Sequence, residues 1–186
     1  GKTYAVRKLG KESFRSFIEI NLELEPELKT AFKSLKPQEI IQRLSILLGK
    51  EIVLGETLLF IDEIQEEPQA LMSLRYFYEL MPDLAVIAAG SLVEFVLESE
   101  DFRMPVGRVL SADLGPMSFT EFLDAKGEFS LSSYLKEVTL ADGVDELFHE
   151  KLKSILREFL YCGGMPGVVF PYVNGSSPHE VTMEQK

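Results

Sequence analysis

The sequence predicts an α/β fold in which a parallel sheet is flanked by helices and followed by a small helical lid. Two apolar runs, at residues 58–61 and 84–89, are typical of strands that a parallel sheet buries on both faces. Helical patterns that begin at proline or end at glycine alternate with these runs. Beyond Thr120 the alternation stops and only helical patterns follow.

Composition excludes several classes of protein. The chain has 186 residues, of which 46% are hydrophobic, as expected for a globular protein. No apolar run approaches the ~20 residues of a membrane span, so we expect no membrane association. The single cysteine, Cys162, excludes an internal disulfide and favours a reducing, cytoplasmic setting. A formal net charge of -11 argues against a nucleic-acid backbone as partner.

The chain begins with Gly1-Lys2-Thr3, followed by a short helical pattern that we expect to stop at Gly10. This order is the second half of a phosphate-binding loop. Backbone N–H groups at the helix start would hold phosphate oxygens, Lys2 would add positive charge, and Thr3 would offer a hydroxyl to Mg²⁺. Taken alone, the triplet is a weak signal, and an exposed, flexible terminus is the alternative.

The next elements are assigned from periodicity and from proline and glycine. Apolar and polar residues alternate over 18–24, which predicts a half-buried strand near a sheet edge. Pro37 begins a helical pattern that ends at Gly49. Pro68 begins another, preceded by acidic residues that favour a helix start.

The stretch 57–65 organises the predicted site. Four apolar residues are followed directly by Asp62 and Glu63, at the end of a strand where open α/β sheets bind ligands. Acids beside a buried strand need a positive or hydrogen-bonding partner. A metal ion with phosphates provides one, so the pattern predicts a Walker B segment in which Asp62 faces Mg²⁺ and Glu63 faces an attacking water. The alternative is a solvated strand end.

The second apolar strand, 84–89, ends in Gly90-Ser91. Ser91 at this tip would hydrogen-bond the terminal phosphate or the attacking water. It would equally serve as the N-cap of a helix over 92–97, and both roles are compatible. Residues 109–114 have a strand-like pattern, and Ser118 with Glu121 has the spacing of a capping box.

The order of these parts is that of P-loop NTPases of the ASCE type, which place an extra strand between Walker A and Walker B. Residues 58–65 (LLFIDEIQ) resemble the Leu-Leu-hydrophobic-Asp-Glu-Ile-Gln signature of a family of prokaryotic AAA-type ATPases. The resemblance continues through 89–91 (AGS), 107–109 (GRV), 116–123 (PMSFTEFL) and 163–166 (GGMP). It covers most of residues 57–123.

The resemblance implies a role for each polar residue of the predicted site. Asp62 is the Mg²⁺ partner, Glu63 the base that polarises water, and Ser91 the sensor residue. Arg108 is the candidate for an arginine that contacts the γ-phosphate, since guanidinium stabilises charge on a transferring phosphoryl group. A surface arginine paired with an acid is an equal alternative, and Arg103 is a weaker candidate.

Two points about this arginine and the glycine turn stay open. The sequence does not decide whether Arg108 acts within its own subunit or reaches a neighbour in a homo-oligomer. Pro166 and the glycines before it would line the adenine side, or would form the C-terminal turn of a helix.

The chain departs from the family at its start. Members have a Gly-x-Arg-Gln-x-Gly-Lys-Thr-like loop after an apolar strand, and only its last three residues occur here. We therefore expect weak or no ATP binding by the 186-residue chain alone, against normal binding by a longer parent. Members usually continue into a C-terminal domain of unknown function.

These patterns predict three segments and one leading function. The segments are an ATPase core at 1–123, a helical lid with the start of a C-terminal region at 124–173, and a flexible tail at 174–186. The leading function is Mg²⁺-dependent binding and hydrolysis of ATP, with ATP and Mg²⁺ as cofactors and an unknown protein partner. The alternatives are a nucleotide-controlled switch with slow turnover and an interaction domain that binds no nucleotide.

Overall fold

A computed structural model describes residues 1–90, 108–139 and 143–175 of the chain. The chain forms two compact units, Gly1–Ala112 and Asp113–Lys186. Ser91 and Arg103 lie outside the described residues, so their predicted roles remain predictions. The division into segments 1–123, 124–173 and 174–186 also remains a prediction about domains.

The first unit contains a three-stranded parallel sheet with the strand order β1-β2-β3. The strands are β1 (Ser16–Asn21), β2 (Thr57–Asp62) and β3 (Ala85–Ala88). Every residue of β2 is buried, as its apolar sequence predicts for a strand with neighbours on both sides. The register places Asn21 opposite Asp62, so both polar residues lie at the carboxyl edge of the sheet. The sheet confirms the predicted α/β fold.

Helices accompany the sheet in chain order. They are α1 (Lys2–Ser13), α2 (Pro37–Leu48) and α3 (Pro68–Leu80), with 3-10 helices at Pro26–Lys33 and Ile64–Glu66. Proline occupies the first turn of α2 and α3, and Gly49 ends α2 with a left-handed φ of 61°, as predicted. Their apolar sides and the sheet share one buried core, which includes Ile20, Phe32, Leu44, Ile61 and Phe77.

Helix α1 does not stop at Gly10, so that expectation is wrong. The helix continues to Ser13, and Gly10 is its buried residue. A Cβ atom at this position would lie 2.3 Å from Cδ2 of Phe17. The glycine therefore permits close approach of α1 to β1 instead of ending the helix.

Strand β1 ends earlier than the alternation over 18–24 predicts. Oδ1 of Asn21 accepts the backbone N–H groups of Glu23 at 3.0 Å and Leu24 at 2.9 Å. This side chain turns the backbone out of the sheet, because asparagine competes locally for main-chain groups. Leu24, which the alternation places inside, is 77% exposed.

Two further strand predictions differ from the structure. Strand β3 is half-buried along its length, where the apolar run predicted full burial. Residues 109–114 form no strand, and Leu110 is 94% exposed. Apolar residues alone do not form a strand when no neighbouring strand pairs with them.

The second unit is helical within the residues described. Its helices are α4 (Phe119–Ala125), α5 (Phe129–Glu137), α6 (Glu146–Cys162) and α7 (Pro166–Val173). Their core contains Phe122, Leu123, Leu131, Leu152, Ile155 and Val169. The predicted capping box is present, since Ser118 accepts from the N–H of Glu121 and the Glu121 carboxylate accepts from the N–H of Ser118.

Candidate functional site

The start of α1 meets the end of β2 through one hydrogen bond between residues far apart in sequence. The hydroxyl of Thr3 donates to Oδ2 of Asp62 at 3.1 Å. Asp62 is the last residue of β2 and is only 8% exposed. The fold therefore brings together the two residues that the sequence predicts as partners of Mg²⁺.

Lys2 lies at the same edge of the sheet. Its Nζ donates to the backbone oxygen of Gly90 at 2.6 Å, immediately beyond β3. Gly1 is the N-cap of α1 and provides no side-chain cap. The first N–H groups of a helix lack partners within it and attract anions. An ammonium and a helix start consequently occur together at the carboxyl edge of β2 and β3.

The Asp62 carboxylate is nearly buried but is bound only by neutral groups. Oδ2 accepts the Thr3 hydroxyl, and Oδ1 accepts the N–H of Glu63 at 3.2 Å. Across the described ranges, no lysine or arginine forms an ion pair with it. Burial of a carboxylate is costly unless charge and hydrogen bonds compensate it. A cation bound here would supply the missing compensation.

Glu63 has an unusual backbone. Its φ of 50° and ψ of 46° are left-handed, and it is the one residue other than glycine with positive φ in the described part of the chain. This conformation costs about 1–2 kcal/mol for a residue with a side chain. It turns the chain from β2 directly into the 3-10 helix Ile64–Glu66. Strained positions of this kind concentrate at functional sites.

Gln65 holds the Glu63 side chain. Its Nε2 donates to Oε2 of Glu63 at 2.6 Å, and its own Oε1 is buried with no hydrogen-bond partner. Leaving such an acceptor unsatisfied costs about 1–3 kcal/mol. Sequence reasoning gave Gln65 no role. The signal was its position two residues after Glu63 within the stretch that resembles the family signature.

Arg7, on the second turn of α1, is fully engaged by an acid on β1. Its guanidinium donates to Glu19 through Nε at 2.8 Å and Nη2 at 2.7 Å. This hydrogen-bonded pair raises the pKa of Arg7, with a smaller contribution from the charge of Asp62. The pair fixes α1 against β1 and places permanent positive charge within electrostatic range of Asp62.

Arg108 contacts an acid on α3. Its Nε lies 2.5 Å from Oε1 of Glu79, and its side chain is 39% exposed. Glu79 also accepts from Arg75, whose hydrogen bond is the main reason why the pKa of Glu79 is lowered. This contact agrees with the surface-pair alternative, and the phosphate-contacting role of Arg108 stays a prediction.

The glycine turn at 163–166 has a structural explanation. Gly163 ends α6 with a φ of 75°, and its N–H donates to the oxygen of Phe159 at 2.7 Å. A Cβ atom on Gly164 would lie 2.4 Å from the backbone oxygen of Met117. Pro166 begins α7. These contacts favour the helix-turn alternative, and the adenine-lining role remains a prediction.

The donor set fits Mg²⁺ in only one way. No cluster of three or more histidine, cysteine, aspartate or glutamate residues suitable for a metal occurs in 1–90, 108–139 or 143–175. Mg²⁺ is usually held by one or two carboxylates together with waters and substrate phosphates. Thr3 and Asp62 match that requirement, provided that a phosphate-bearing ligand supplies the remaining oxygens.

Comparison with known proteins identifies the family. The sequence profile of a family described as AAA domain matches residues 1–123, well over half of the chain. The chain belongs to the AAA domain family. Members of this family are nucleotide-binding domains with the P-loop NTPase fold, so this AAA domain is of the ATP-binding type. The parallel sheet and its polar carboxyl edge agree with that assignment.

One archaeal relative extends the comparison. The uncharacterized protein MJ1637 of Methanocaldococcus jannaschii is 25% identical over 179 residues, covering 88% of this chain. The match covers 37% of that relative, so the chain spans little more than a third of its length. No solved structure matches the AAA domain significantly. Among the helices described, none has both the length and the apolar character needed to cross a membrane.

Proposed function

We propose that this AAA domain binds ATP with Mg²⁺ at the carboxyl edge of its sheet and hydrolyses it by water attack. The observation that supports this most strongly is the 3.1 Å hydrogen bond between Thr3 and Asp62. A threonine at a helix start and an aspartate at a buried strand end have few reasons to meet. In P-loop NTPases these two residue types hold the magnesium ion.

Gly1 and Lys2 form the phosphate side of the proposed site. The backbone N–H groups at the start of α1 would bind phosphate oxygens, and the Lys2 ammonium would exchange its Gly90 carbonyl for a phosphate oxygen. Such an exchange is favourable because a charged acceptor makes a stronger hydrogen bond than a neutral one.

Thr3 and Asp62 form the metal side. The Thr3 hydroxyl would bind Mg²⁺ directly, and the Asp62 carboxylate would hold the ion or its waters. When bound, the ion supplies neutralisation of negative charge on the phosphate oxygens. Asp62 is only 8% exposed, so its charge acts in a partly desolvated setting.

Glu63 is the proposed general base. It follows Asp62 directly, and its left-handed backbone directs its side chain away from the strand. An ionised carboxylate in this place would accept a proton from the attacking water and orient that water toward phosphorus. Ser91 as sensor and Arg108 as a phosphate-contacting arginine belong to the same proposal.

The test is Mg-ATP binding and steady-state hydrolysis by the full-length protein and its Glu63→Gln variant. We expect the variant to bind Mg-ATP as the wild type does and to lose turnover by about 100-fold or more. Glu66→Gln is the matched control, because Glu66 lies in the same turn and pairs with Lys29 at the surface. It should retain turnover.

The outcomes separate the proposal from its alternatives. Tight binding with slow wild-type turnover that Glu63→Gln leaves unchanged indicates a nucleotide-controlled switch. Absence of Mg-ATP binding by the wild type, seen as no thermal stabilisation at saturating ligand, contradicts the proposal and favours an interaction domain. A cytoplasmic location, a homo-oligomeric state and a protein partner stay predictions from the sequence.

A further inference from the structure

We propose that Gln65 is a positioning residue, whose side-chain amide sets the direction in which the Glu63 carboxylate points. The inference rests on the proposed function, since it concerns the group assigned there as general base. The observation behind it is the 2.6 Å hydrogen bond from Nε2 of Gln65 to Oε2 of Glu63.

The chemistry of the two side chains fixes which amide atom faces Glu63. An ionised carboxylate only accepts hydrogen bonds, so the NH₂ group of Gln65 must face it. The amide oxygen, Oε1, then necessarily points to the other side, where it is buried without a donor. The carboxylate therefore determines the orientation of Gln65, and Gln65 in turn restrains the carboxylate.

The buried Oε1 argues against a purely structural role for Gln65. Polar atoms that stabilise a fold are nearly always hydrogen-bonded, and a side chain that only fills space avoids an unsatisfied acceptor by being apolar. Within the described residues, the contact with Glu63 is the one side-chain hydrogen bond that Gln65 makes. The amide thus has one function in this structure, which is to hold Glu63.

The surrounding backbone explains why the carboxylate needs such a partner. Ile64, between the two residues, is fully buried, and its N–H donates to the oxygen of Ala89 at 3.0 Å. The turn is thereby fixed to the end of β3, while the Glu63 side chain is half-buried and free to rotate. Asn21, the nearest amide at this edge, is already used in capping the turn at Glu23 and Leu24.

The test uses Gln65→Met, which keeps the length of the side chain but removes both polar atoms. We expect kcat to fall on the order of 10- to 100-fold, because a misdirected base loses its alignment with the water. KM and the dissociation constant for Mg-ATP should stay at wild-type values. The unfolding midpoint without nucleotide should stay unchanged or rise, because the unsatisfied acceptor is gone.

The same substitution in the Glu63→Gln background tests whether Gln65 acts through Glu63. A residue that works only by orienting the carboxylate has no further effect once the carboxylate is absent. We therefore expect Glu63→Gln and the double variant to have equal kcat. Gln69→Met, on the exposed first turn of α3, is the matched control and should behave as the wild type.

A second readout needs no catalysis. In ¹⁵N–¹H spectra without nucleotide, the side-chain NH₂ signal of Gln65, identified by its loss in Gln65→Met, should shift in Glu63→Ala. The Gln69 side-chain signal should not move. An unshifted Gln65 signal overturns the inference, because it means that the amide does not contact the carboxylate.

The kinetic outcomes distinguish the two proposals. If the wild type shows no Mg-ATP turnover, the proposed function fails and the role of Gln65 fails with it. If the wild type turns over and Glu63→Gln does not, but Gln65→Met keeps wild-type kcat, only the role of Gln65 is overturned. A lower unfolding midpoint together with proportional losses in kcat and binding also overturns it, since that result describes a structural residue.

Discussion

The two units use charged side chains in opposite ways. In the second unit, Lys126 pairs with Glu158, and Tyr172 donates its hydroxyl to the same carboxylate at 2.6 Å. In the first unit, Lys2 binds a neutral backbone oxygen and Asp62 binds a neutral hydroxyl. Opposite charges are joined in one unit, whereas each charge in the other has only neutral partners.

The cluster of the second unit is internally balanced. Lys126 lies 5.9 Å from the ring centre of Phe122 and 5.8 Å from that of Tyr172. Its hydrogen bond, followed by that of Tyr172, lowers the pKa of Glu158. The hydrogen bond to Glu158 raises the pKa of Tyr172 to about 12. Every charge is compensated here, so this cluster stabilises the packing of α4, α6 and α7.

The edge of the first unit lacks this balance. Among the described residues, neither Lys2 nor Asp62 takes part in an ion pair, although the chain carries 30 acidic and 19 basic side chains. A lysine in so acidic a chain would readily find a carboxylate. The comparison indicates that charges with only neutral partners at a sheet edge are those available to a ligand.

The largest expected effect concerns Lys2. Lys2→Ala should weaken Mg-ATP binding by about 10- to 100-fold, the value of a charged hydrogen bond to phosphate. Lys8→Ala is the control on the same helix, since Lys8 is exposed and only approaches Glu12 at 3.9 Å. Titration with a fluorescent ATP analogue measures both. Equal affinity of the two variants would remove the distinction drawn between the units.

The second unit is expected to respond in stability instead. Gly164→Ala introduces a Cβ atom that would lie 2.4 Å from the oxygen of Met117 and 3.0 Å from its nitrogen. Backbone must shift, so we expect the free energy of unfolding to fall by about 1–3 kcal/mol in denaturant titration. Gly167→Ala has no neighbour within 4 Å of the new atom and lies inside α7. It should be neutral or stabilising.

A smaller loss is expected at the capping box. Ser118→Ala removes the acceptor for the N–H of Glu121 and should lower the free energy of unfolding by about 1 kcal/mol. Ser133→Ala, at an exposed position of α5, is the control and should not destabilise. A loss of the same size in both variants would show that the cap contributes nothing specific.

The smallest effect is a pH dependence. The pKa of Tyr172 is raised from 10 to about 12 in the folded state, so its stabilising hydrogen bond is fully present below pH 10. This contribution should disappear as the pH rises from 10 to about 12. Tyr172→Phe should flatten that part of the stability profile, measured by thermal unfolding. Tyr161→Phe, at a side chain that is 71% exposed, should leave it unchanged.

Local signals in the sequence were enough for much of the fold. The buried strand β2, the prolines that begin α2 and α3, and the capping box at Ser118 all depend on residues close together in the chain. The end of β1 was missed because the side chain of Asn21 competes with the sheet for backbone groups. Gly10 was assigned to a helix end, although its role is contact with Phe17.

The candidate site shows the same division. Asp62 and Glu63 were recognisable because two acids follow an apolar strand directly. The approach of Thr3 to Asp62 depends on how α1 packs on the sheet, which residue spacing alone does not give. The hold of Gln65 on Glu63 depends on a left-handed φ that no sequence pattern specified.

The most direct test of the proposed site is the effect of Mg²⁺ on ATP binding, compared between the wild type and Asp62→Asn. The substitution keeps the size of the side chain and removes the charge that the ion would meet. We predict that Mg²⁺ strengthens ATP binding by the full-length wild type and that Asp62→Asn loses most of this gain. An equal gain from Mg²⁺ in both proteins would contradict the assignment of Asp62 and Thr3 as the metal side of the site.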